Sequence, residues 1–496
     1  MTLDASLPLL VLMSSLVAGV LIFFVPERRH TLRTTLNIAA AVVKLVLVGV
    51  IVFGVYAGHT YETRFPFLLG AELVLRADSF SLLFVSLSAV LWLATTVYAI
   101  GYLEGSPHRS RFFGFFSVCV ASTMGIALAG NLLTFFVFYE LLTISTYPLV
   151  VHNGTPEALD AGDMYLRYTL AGGAVLLAGV ATLYALAGNV DFTEGGCLLP
   201  LATTHRTTLV AAFTLLVGGL AVKAALFPLH RWLPAAMVAP APVSALLHAV
   251  AVVKAGAFGI TRVVYDVYGV RFAHELGVMR PLAFVAAVTI LYGSTAALLQ
   301  HDLKRRLAYS TVSQIAYIVL GVAAFGTLST VGGIVHIVHQ GLMKVTLFFC
   351  AGNLAEEIRV HDVRSLHGVG RRMPITMGAF TVAALGMIGV PPIAGFVSKW
   401  YLGIGVLQAG EAWYAVVLLA SSLLNAAYFL PLIHDAWFTE AKAAFPERSG
   451  RAEIRPSLLA PTLATALLAL MAGVFAGTPW SPLGWAKLIA AREFRP

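Results

Sequence analysis

Residues 217–250 read VGGLAVKAALFPLHRWLPAAMVAPAPVSALLHAV. An apolar helix with one cation, Lys223, runs into Pro228, and the chain then crosses a group of prolines before it returns to apolar sequence that contains His248. Proline removes a backbone donor and clashes with the preceding turn, so the helix is predicted to break there. Lysine inside a membrane span costs several kcal/mol and is a functional-site candidate by default. The stretch therefore predicts a buried amine beside an unwound segment, which is an arrangement suited to carrying protons.

The composition is that of an integral membrane protein. Of the 496 residues, 59% are hydrophobic and 11% are charged, and the mean hydropathy is +0.86, whereas soluble domains carry roughly 25% charged residues. The formal net charge of +8 is interpreted as an orientation signal of the loops and not as affinity for nucleic acid. Cys119, Cys197 and Cys350 lie far apart without a C-x-x-C pair, so no metal, iron–sulfur cluster or other cofactor is expected.

Apolar runs recur along the chain and predict an all-α polytopic membrane protein with about 14 transmembrane helices. No linker is long enough for a soluble domain, so residues 1–496 are interpreted as a single membrane domain. The predicted spans are 5–25, 35–57, 79–100, 113–129, 132–151, 164–187, 207–227, 241–265, 281–299, 307–325, 329–351, 374–395, 412–436 and 457–476.

Two blocks of five spans share one anomaly. Spans 4–8 contain the broken helix 7 with Lys223, and spans 9–13 contain helix 12, which is interrupted at GVPPIAGFVSK and carries Lys399. Five is an odd number, so a second copy would enter the membrane upside down, and broken segments at matching positions are typical of inverted-repeat transporters. We therefore predict two inverted five-helix repeats. The resulting division is 1–112 for a three-helix N-terminal part, 113–265 and 281–436 for the repeats, and 457–476 for the last helix.

The loops indicate the orientation in the membrane. Lys and Arg are about twice as numerous in the loops after odd-numbered spans as in the other loops, and cytoplasmic loops carry such an excess. Both termini are therefore predicted on the non-cytoplasmic side. The segment with Glu157, Asp160 and Asp163, interpreted as a loop, is acidic on the predicted cytoplasmic side and disagrees mildly with this orientation.

The ionisable residues inside the spans are the candidate sites. Glu140 is far from either end of span 5, where a carboxylate must be neutral or paired, and is interpreted as the partner that sets the proton affinity of Lys223. The alternative is an ion pair that only packs helices. Lys254 lies six residues beyond His248 on a different helix face, so the two would pass protons along a path without forming a cluster. The alternative for His248 is a core residue bonded to a backbone carbonyl.

Span 11 reads GGIVHIVHQGLMKVTLFF and carries a polar stripe. His336, Gln340 and Lys344 are four residues apart and share one face, and His339 is three residues beyond His336. Imidazole titrates near neutral pH, so the stripe is interpreted as a proton relay. The alternative is a polar stripe that joins helices. Lys399 is interpreted as the end of the path on the far side, the alternative being an interfacial lysine.

Other charged residues are interpreted without a transport role. Lys44 lies in span 2, outside the repeats, and is interpreted as structural or partner-facing. Asp78 precedes span 3 and is interpreted as a helix cap.

Five stretches in one order carry a resemblance to a known family: LRADSFSLLF (75–84), NLLTFFVFYELL (131–142), KAALFPLHRWLPAAMVAPAPVSALLHAVAVVKAG (223–256), HDLKRRLAYSTVSQIAY (301–317) and GVPPIAGFVSK (389–399). They resemble the antiporter-like, proton-translocating subunits shared by NADH:quinone oxidoreductase, membrane-bound hydrogenases and Mrp-type cation/proton antiporters. The resemblance implies that Glu140 is the family's glutamate of the fifth helix and Lys223 the lysine of the broken seventh. It likewise implies that Lys254 is the lysine of the eighth helix and Lys399 that of the broken twelfth.

Within this family, HIVHQGLMK (336–344) and SSLLNAAYFLPLIHDAWF (421–438) are most similar to the D-type subunits of the Mrp-type antiporters. The resemblance implies a proton-translocating subunit of a multi-subunit cation/proton antiporter in a bacterial or archaeal cell (inner) membrane. Its partners would be the lipid bilayer and other membrane subunits, homologous antiporter-like subunits among them. The proton would load Lys223 from the cytoplasm, pass Lys254 and the span 11 stripe, and leave from Lys399 on the outer side.

Three alternatives stay open. The chain could be the proton-pumping module of a redox-driven complex, such as a membrane-bound hydrogenase or NADH:quinone oxidoreductase, whose redox centres belong to other subunits. A membrane enzyme would need a polar catalytic cluster at one membrane face, which the sequence does not show. A scaffold with degenerate sites is the third.

Overall fold

The computed structural model describes residues 3–67, 70–441 and 453–494. The N-terminal part contains α1 (Leu3–Phe23), α2 (His30–Tyr56), β1 (Tyr61–Pro66), β2 (Glu72–Ala77) and α3 (Ser79–Tyr102). Next come α4 (Arg109–Ala127), α5 (Leu132–Val150), α6 (Pro156–Ala187), α7 (Arg206–Lys223), α8 (Trp232–Ala235), α9 (Ala241–Ala249), α10 (Val252–Arg262) with a π-helical turn (Val263–Tyr268), and α11 (Val270–Glu275). The second half of the core contains α12 (Met279–Leu298), α13 (Leu303–Ala323), α14 (Thr327–Ile358), α15 (Val369–Arg372), α16 (Pro374–Ile388), α17 (Ala394–Gln408) and α18 (Ala412–Phe438). The chain ends with α19 (Pro456–Val474) and α20 (Pro482–Glu493).

The membrane crossings agree with the apolar runs. Twelve segments of the described chain are long and apolar enough to span a membrane, and one of them, Ala241–Tyr268, combines α9, α10 and the π-helical turn. Two further crossings are α13, whose first turn holds three cations, and the pair α16–α17, which is divided by a break. The predicted all-α polytopic fold with about 14 transmembrane helices, broken at helices 7 and 12, is confirmed.

Some predicted boundaries are wrong. α6 begins at Pro156, so Glu157, Asp160 and Asp163 lie in its first turns and not in a loop. The reason is local: the Thr155 side chain caps the helix by accepting from a backbone N–H (3.2 Å), and proline is tolerated at the first helical position. Span 12 continues well beyond its predicted end at residue 395, because the chain resumes helix after the break as α17.

A β-hairpin between α2 and α3 was not predicted. β1 and β2 pair antiparallel, and Arg64 of β1 binds Glu62 (2.6 Å), Glu72 (2.9 Å) and Asp191 (2.7 Å). The hairpin joins the start of α3 to the loop after α6. Its strands are short and lie between long apolar runs, so the hydropathy pattern does not reveal them.

The two halves of the core repeat one another in packing. The heavily packed pairs α4–α5 and α6–α7 of the first half correspond to α12–α13 and α14–α17 of the second. A shared detail supports the correspondence: an isolated antiparallel bridge joins Asn131 to Asp191 in the first half, and another joins Asp302 to Asp362 in the second. Asn131 and Asp302 are also the N-caps of α5 and α13. These helices are five crossings apart, so the equivalent ends lie on opposite membrane faces, as an inverted repeat requires.

Two crossings form the centre of the protein. The α9–α10 crossing and α14 are buried along the whole of their most apolar window, whereas α2 is buried along 28% of its window. α14 packs against helices from both halves and against α3, α19 and α20. Polar side chains on these two crossings therefore face protein and not lipid.

Candidate functional site

The predicted break after α7 is present. α7 ends at Lys223, four residues before the predicted boundary, and Trp232 begins the next helix. The Phe227 N–H, which has left the helix, donates to Thr289 Oγ1 of α12 (3.0 Å), and the Trp232 indole N–H donates to Val222 O (2.8 Å). These two backbone groups at the break are thus bonded within the protein, which is the condition for an irregular backbone at membrane depth.

Lys223 and Glu140 are neighbours without a direct ion pair. Lys223 is fully buried, its Nζ donates to Tyr139 O of α5, and the same Nζ lies 3.3 Å from the centroid of the Tyr139 ring. The Glu140 carboxylate lies against Gly173 of α6, and its Oε1 has no hydrogen-bond partner in the described chain. No Glu140 oxygen comes within 4.0 Å of the Lys223 amine among the described residues. The predicted partners therefore interact through space, with the carbonyl of the residue before Glu140 holding the amine.

The eighth crossing is interrupted for two residues between α9 and α10, and the prediction of one continuous helix is wrong there. No proline or glycine marks this interruption. Because it lies between His248 and Lys254, helical spacing does not relate the positions of these two side chains. Lys254 is buried, and its Nζ donates to Ile337 O of α14. The His248 ring lies 4.6 Å from the Phe348 ring, and neither ring nitrogen has a hydrogen-bond partner within the described residues.

His336 is the most firmly held residue of the span 11 stripe. Its Nδ1 is hydrogen-bonded to Ser398 Oγ of α17 (2.8 Å) and its Nε2 to Gln314 Oε1 of α13 (3.0 Å). The ring also stacks on Tyr317 with 5.5 Å between centroids. His336 therefore connects α14 to both of its main neighbours in the second half.

The other stripe residues have fewer protein partners. Lys344 donates from Nζ to Leu307 O of α13 (3.1 Å). Both ring nitrogens of His339 and both amide atoms of Gln340 are buried without a hydrogen-bond partner in the described chain. Buried polar groups of this kind usually bind ordered water, so this part of α14 is suited to hydration.

Lys399 is fixed by the break between α16 and α17. In a continuous helix, the N–H groups of residues 391 and 392 would donate to Met387 O and Ile388 O. Both positions are proline and have no N–H. The Lys399 amine takes their place and donates to Met387 O (2.8 Å) and Ile388 O (3.0 Å). The cation therefore caps the C-terminal end of α16, where the helix dipole also favours it.

Three of the predicted residues are connected through sequence neighbours. Lys254 donates to the carbonyl of Ile337, which follows His336, and His336 binds Ser398, which precedes Lys399. The structure thus brings Lys254, His336 and Lys399 into one continuous set of contacts across α10, α14 and α17. No hydrogen bond joins Lys223 or Lys344 to this set in the described residues.

Sequence reasoning missed a buried ionic cluster at the far end of α10. Arg262 donates to both carboxylate oxygens of Asp78 (2.8 and 2.9 Å) and to Asp266 (2.8 Å), and Glu493 of α20 is 7% exposed beside them. Asp78 also caps α3, as predicted. The i,i+4 spacing of Arg262 and Asp266 at the end of span 8 was the available signal.

The expectation that Lys44 could face a partner is wrong. The side chain is fully buried, with Nζ donating to Ser15 Oγ of α1 (2.5 Å) and lying 4.2 Å from the Trp92 ring centroid of α3. Its surroundings are the helices of the N-terminal part, which agrees with the structural interpretation.

Comparison with known proteins gives consistent matches. A sequence model of the family described as "NADH:quinone oxidoreductase/Mrp antiporter, TM" matches residues 129–425. The chain is 37% identical to NADH-quinone oxidoreductase subunit N of Desulforudis audaxviator over 84% of either chain. It is 28% identical to the D-type subunit of the Na⁺/H⁺ antiporter of Bacillus subtilis over 96% of this chain and 94% of that one. Among solved structures, a chain of the Mrp complex from Dietzia sp. DQ12-45-1b superposes with a TM-score of 0.85, at 25% identity over 100% of this chain and 98% of that one.

Proposed function

Since the chain belongs to the NADH:quinone oxidoreductase/Mrp antiporter family, we propose that it is the proton-translocating subunit of a multi-subunit cation/proton antiporter. One observation carries the proposal. Four lysines, three of them buried and one partly buried, each donate a hydrogen bond to a backbone carbonyl, and in the described chain no carboxylate lies within ion-pair distance of any of them. They are Lys223, Lys254, Lys344 and Lys399. Amines in this setting are costly for stability. A transport role accounts for their presence, since a neutral acceptor allows each amine to release and regain its proton.

From Lys254 onward, the proposed path follows the contacts described above. Lys223 takes up the proton under the influence of Glu140 and passes it towards Lys254. From there the proton moves along His336 to Lys399. His248, His339 and Lys344 form a hydrated branch beside this path, because the imidazole nitrogens require water as hydrogen-bond partners.

The relatives support two kinds of assembly. The match to the D-type subunit of an Na⁺/H⁺ antiporter covers nearly the whole chain, and the superposed chain belongs to an Mrp complex, which favours the antiporter and other membrane subunits as partners. The match to NADH-quinone oxidoreductase subunit N favours a proton-pumping module of a redox-driven complex. Both use the same path, and identification of the co-purifying subunits, with or without iron–sulfur proteins, separates them.

We place the chain in the cell membrane of a bacterium or archaeon, as a single domain with the repeats at 113–265 and 281–436 and with both termini away from the cytoplasm. The excess of Lys and Arg after odd-numbered spans supports this orientation. Lys442, Arg448 and Arg451, which contribute to that excess, lie outside the described residues.

The test is proton flux in liposomes that contain the whole complex. Lys223→Ala and Lys399→Ala should each lower the flux by about a hundredfold or more, as expected for loss of a proton-transferring group. Lys487→Ala, which changes a lysine on the exposed side of α20, is the matched control and should leave the flux unchanged. Wild-type flux in both buried-lysine variants would reject the proposal in favour of a scaffold.

A further inference from the structure

Five arginines gather at one end of the N-terminal part, where the connection from α1 to α2 meets the start of α4. The Ser110 N–H donates to Glu27 Oε1 (2.8 Å), and the Ser110 hydroxyl donates to Val25 O (2.7 Å). Arg33 Nη1 donates to the Ser110 hydroxyl (2.9 Å). These bonds fix the connection against α4. We call the five residues the basic cluster: Arg28, Arg29, Arg33, Arg109 and Arg111.

Glu27 is the one carboxylate within 4.0 Å of these guanidinium groups in the described chain. Its Oε2 lies 3.4 Å from Arg33 Nη1 and 4.0 Å from Arg109 Nε. Arg109 Nε is buried without a hydrogen-bond partner among the residues that the structure describes. The side chains of Arg28 and Arg29 are exposed and have no partner in the same part of the chain. The cluster therefore keeps a positive charge that the protein does not neutralise.

Two exposed arginines elsewhere on the same predicted membrane face each have a carboxylate of their own. Arg364 binds Asp362 (2.7 Å), and Arg167 binds Asp163 (2.7 Å). The positive-inside rule accounts for an excess of cations on this face, but it does not require them to converge around one carboxylate. Converging like charges repel one another and destabilise the compact state. The basic cluster therefore indicates a ligand that carries negative charge.

Apolar side chains are exposed beside the cluster at the same two helix ends. Phe24, which follows α1, is 81% exposed, and Leu21 in the last turn of α1 is 49% exposed. Leu32 in the first turn of α2 is 44% exposed. In a membrane-spanning chain such a surface faces the acyl chains, whereas cations at the ends of the spans lie at the level of the headgroups. A phospholipid matches this combination better than a soluble anion or an acidic protein segment does.

We propose that the basic cluster binds the phosphate of an anionic phospholipid, whose acyl chains lie along the exposed surface of α1 and α2. A guanidinium group can bind two phosphate oxygens at once, and Arg28, Arg29 and Arg109 have N–H groups free for this contact in the described chain. α2 begins without a side-chain cap, so its first backbone N–H groups add further donors.

The lipid neutralises the repulsion among the arginines and so keeps the ends of α1, α2 and α4 together. In the proposed orientation the site faces the cytoplasmic leaflet, where anionic lipids give the membrane a negative surface potential. The proposal does not depend on the proton path, because none of these side chains belongs to it.

The experiment is a titration of the purified whole complex with dioleoyl phosphatidylglycerol, in which native mass spectrometry measures the lipid that stays bound. Arg28→Gln combined with Arg29→Gln removes two charges whose side chains make no bond in the described chain, so the fold should be kept. This glutamine variant should lower the affinity of one phosphatidylglycerol site by about tenfold or more, because cations beside an anionic headgroup each contribute to binding.

Two further variants test whether the charge is responsible. Arg28→Lys combined with Arg29→Lys keeps both charges and should bind phosphatidylglycerol within about threefold of wild type, since lysine also binds phosphate. Arg305→Gln changes an exposed arginine in the first turn of α13, next to the N-cap Asp302, and is the matched control. It should bind phosphatidylglycerol as wild type does.

The outcomes distinguish the lipid from other occupants. Equal affinity for phosphatidylglycerol in wild type and in the glutamine variant would overturn the proposal. Dioleoyl phosphatidylcholine that binds as tightly as phosphatidylglycerol would indicate ordinary boundary lipid and would also overturn it. The same holds if inorganic phosphate, but not chloride at equal ionic strength, displaces the lipid, because the site would then take free anions. Loss of a neighbouring subunit from the glutamine variant, with unchanged lipid binding, would instead assign the cluster to a protein contact.

Discussion

Gly173 offers a way to move the Glu140 carboxylate without changing its charge. A Cβ on residue 173 would lie 2.5 Å from Glu140 Oε1, 2.7 Å from Cδ and 2.9 Å from Oε2, whereas real Cβ contacts are essentially never shorter than 3.0 Å. The atoms it meets belong to the end of a flexible side chain, so the carboxylate can move aside. Alanine also favours helix over glycine by up to about 1 kcal/mol. Gly173→Ala should therefore leave the stability of the complex unchanged or slightly raise it.

The expected effect on function follows from the charge pair. The two charges lie beyond the 4.0 Å ion-pair limit. Two unit charges taken to be about 5 Å apart, at an effective dielectric constant of ~20, interact by about 3 kcal/mol. Removing the carboxylate charge with Glu140→Gln should then lower the flux by about a hundredfold. A displacement of the carboxylate by about 1 Å alters the same interaction by about 0.5 kcal/mol, so Gly173→Ala should lower the flux by about twofold.

The assay is proton flux in liposomes with the intact complex, measured for both single variants and for the double variant. If Gly173→Ala acts through the carboxylate charge, it should have no further effect in the Glu140→Gln background. Gly218→Ala of α7 is the matched control, since its Cβ would come no closer than 3.9 Å to another atom. The same twofold loss with and without the Glu140 charge would refute the reasoning, because the effect would then be one of helix packing.

The other predictions concern packing, capping and pH. Gly256→Ala should cost about 1–3 kcal/mol of stability in thermal unfolding, because its Cβ would overlap the backbone at the break after α7. Gly378→Ala, which has open space around it, is the control and should be neutral or slightly stabilising. Lys399→Ala should lower the unfolding temperature more than Lys223→Ala, since it frees two carbonyls where Lys223→Ala frees one; an equal change in both would contradict the capping role. Burial, and then the neighbouring Asp266, raises the pKa of Glu493 from 4.5 to about 8. The docked α20 therefore holds a proton that an undocked helix would release, and docking should weaken as the pH rises from about 4.5 to 8. Amide hydrogen exchange in α20 should increase over this range, and Glu493→Gln should remove the dependence.

The crossings and the two breaks could be predicted because their signals are local. A run of apolar residues identifies a span without knowledge of its neighbours, and a proline identifies a missing donor. The same reasoning located Lys223 and Lys399, since a cation in an apolar run is conspicuous. In retrospect, the partners of Lys399 could also have been predicted, because the prolines at 391 and 392 specify which two carbonyls lose their donors.

Other features depend on contacts between distant segments. The interruption between α9 and α10 has no proline or glycine to announce it, and it is held within the most deeply buried crossing. The equivalence of the Asn131 and Asp302 bridges is likewise invisible to sequence comparison within the chain, because backbone pairing requires no particular side chain there. Glu493 lies near Arg262 only in the folded protein, because more than two hundred residues separate them in the sequence.

The two halves hold their lysines in chemically different ways, and this difference bears on direction. Lys223 has a carboxylate nearby, so its interaction energy changes with the charge of Glu140. Lys399 is held by two carbonyls of α16 and a hydroxyl, which are neutral. Among the described residues, no carboxylate forms an ion pair with Lys399 within 4.0 Å. A site tuned by a titratable neighbour can be switched by events at that neighbour, whereas one fixed by carbonyls responds mainly to the supply of protons that reach it. Control of transport is therefore expected at the first half, with the second half following the protons that reach Lys399.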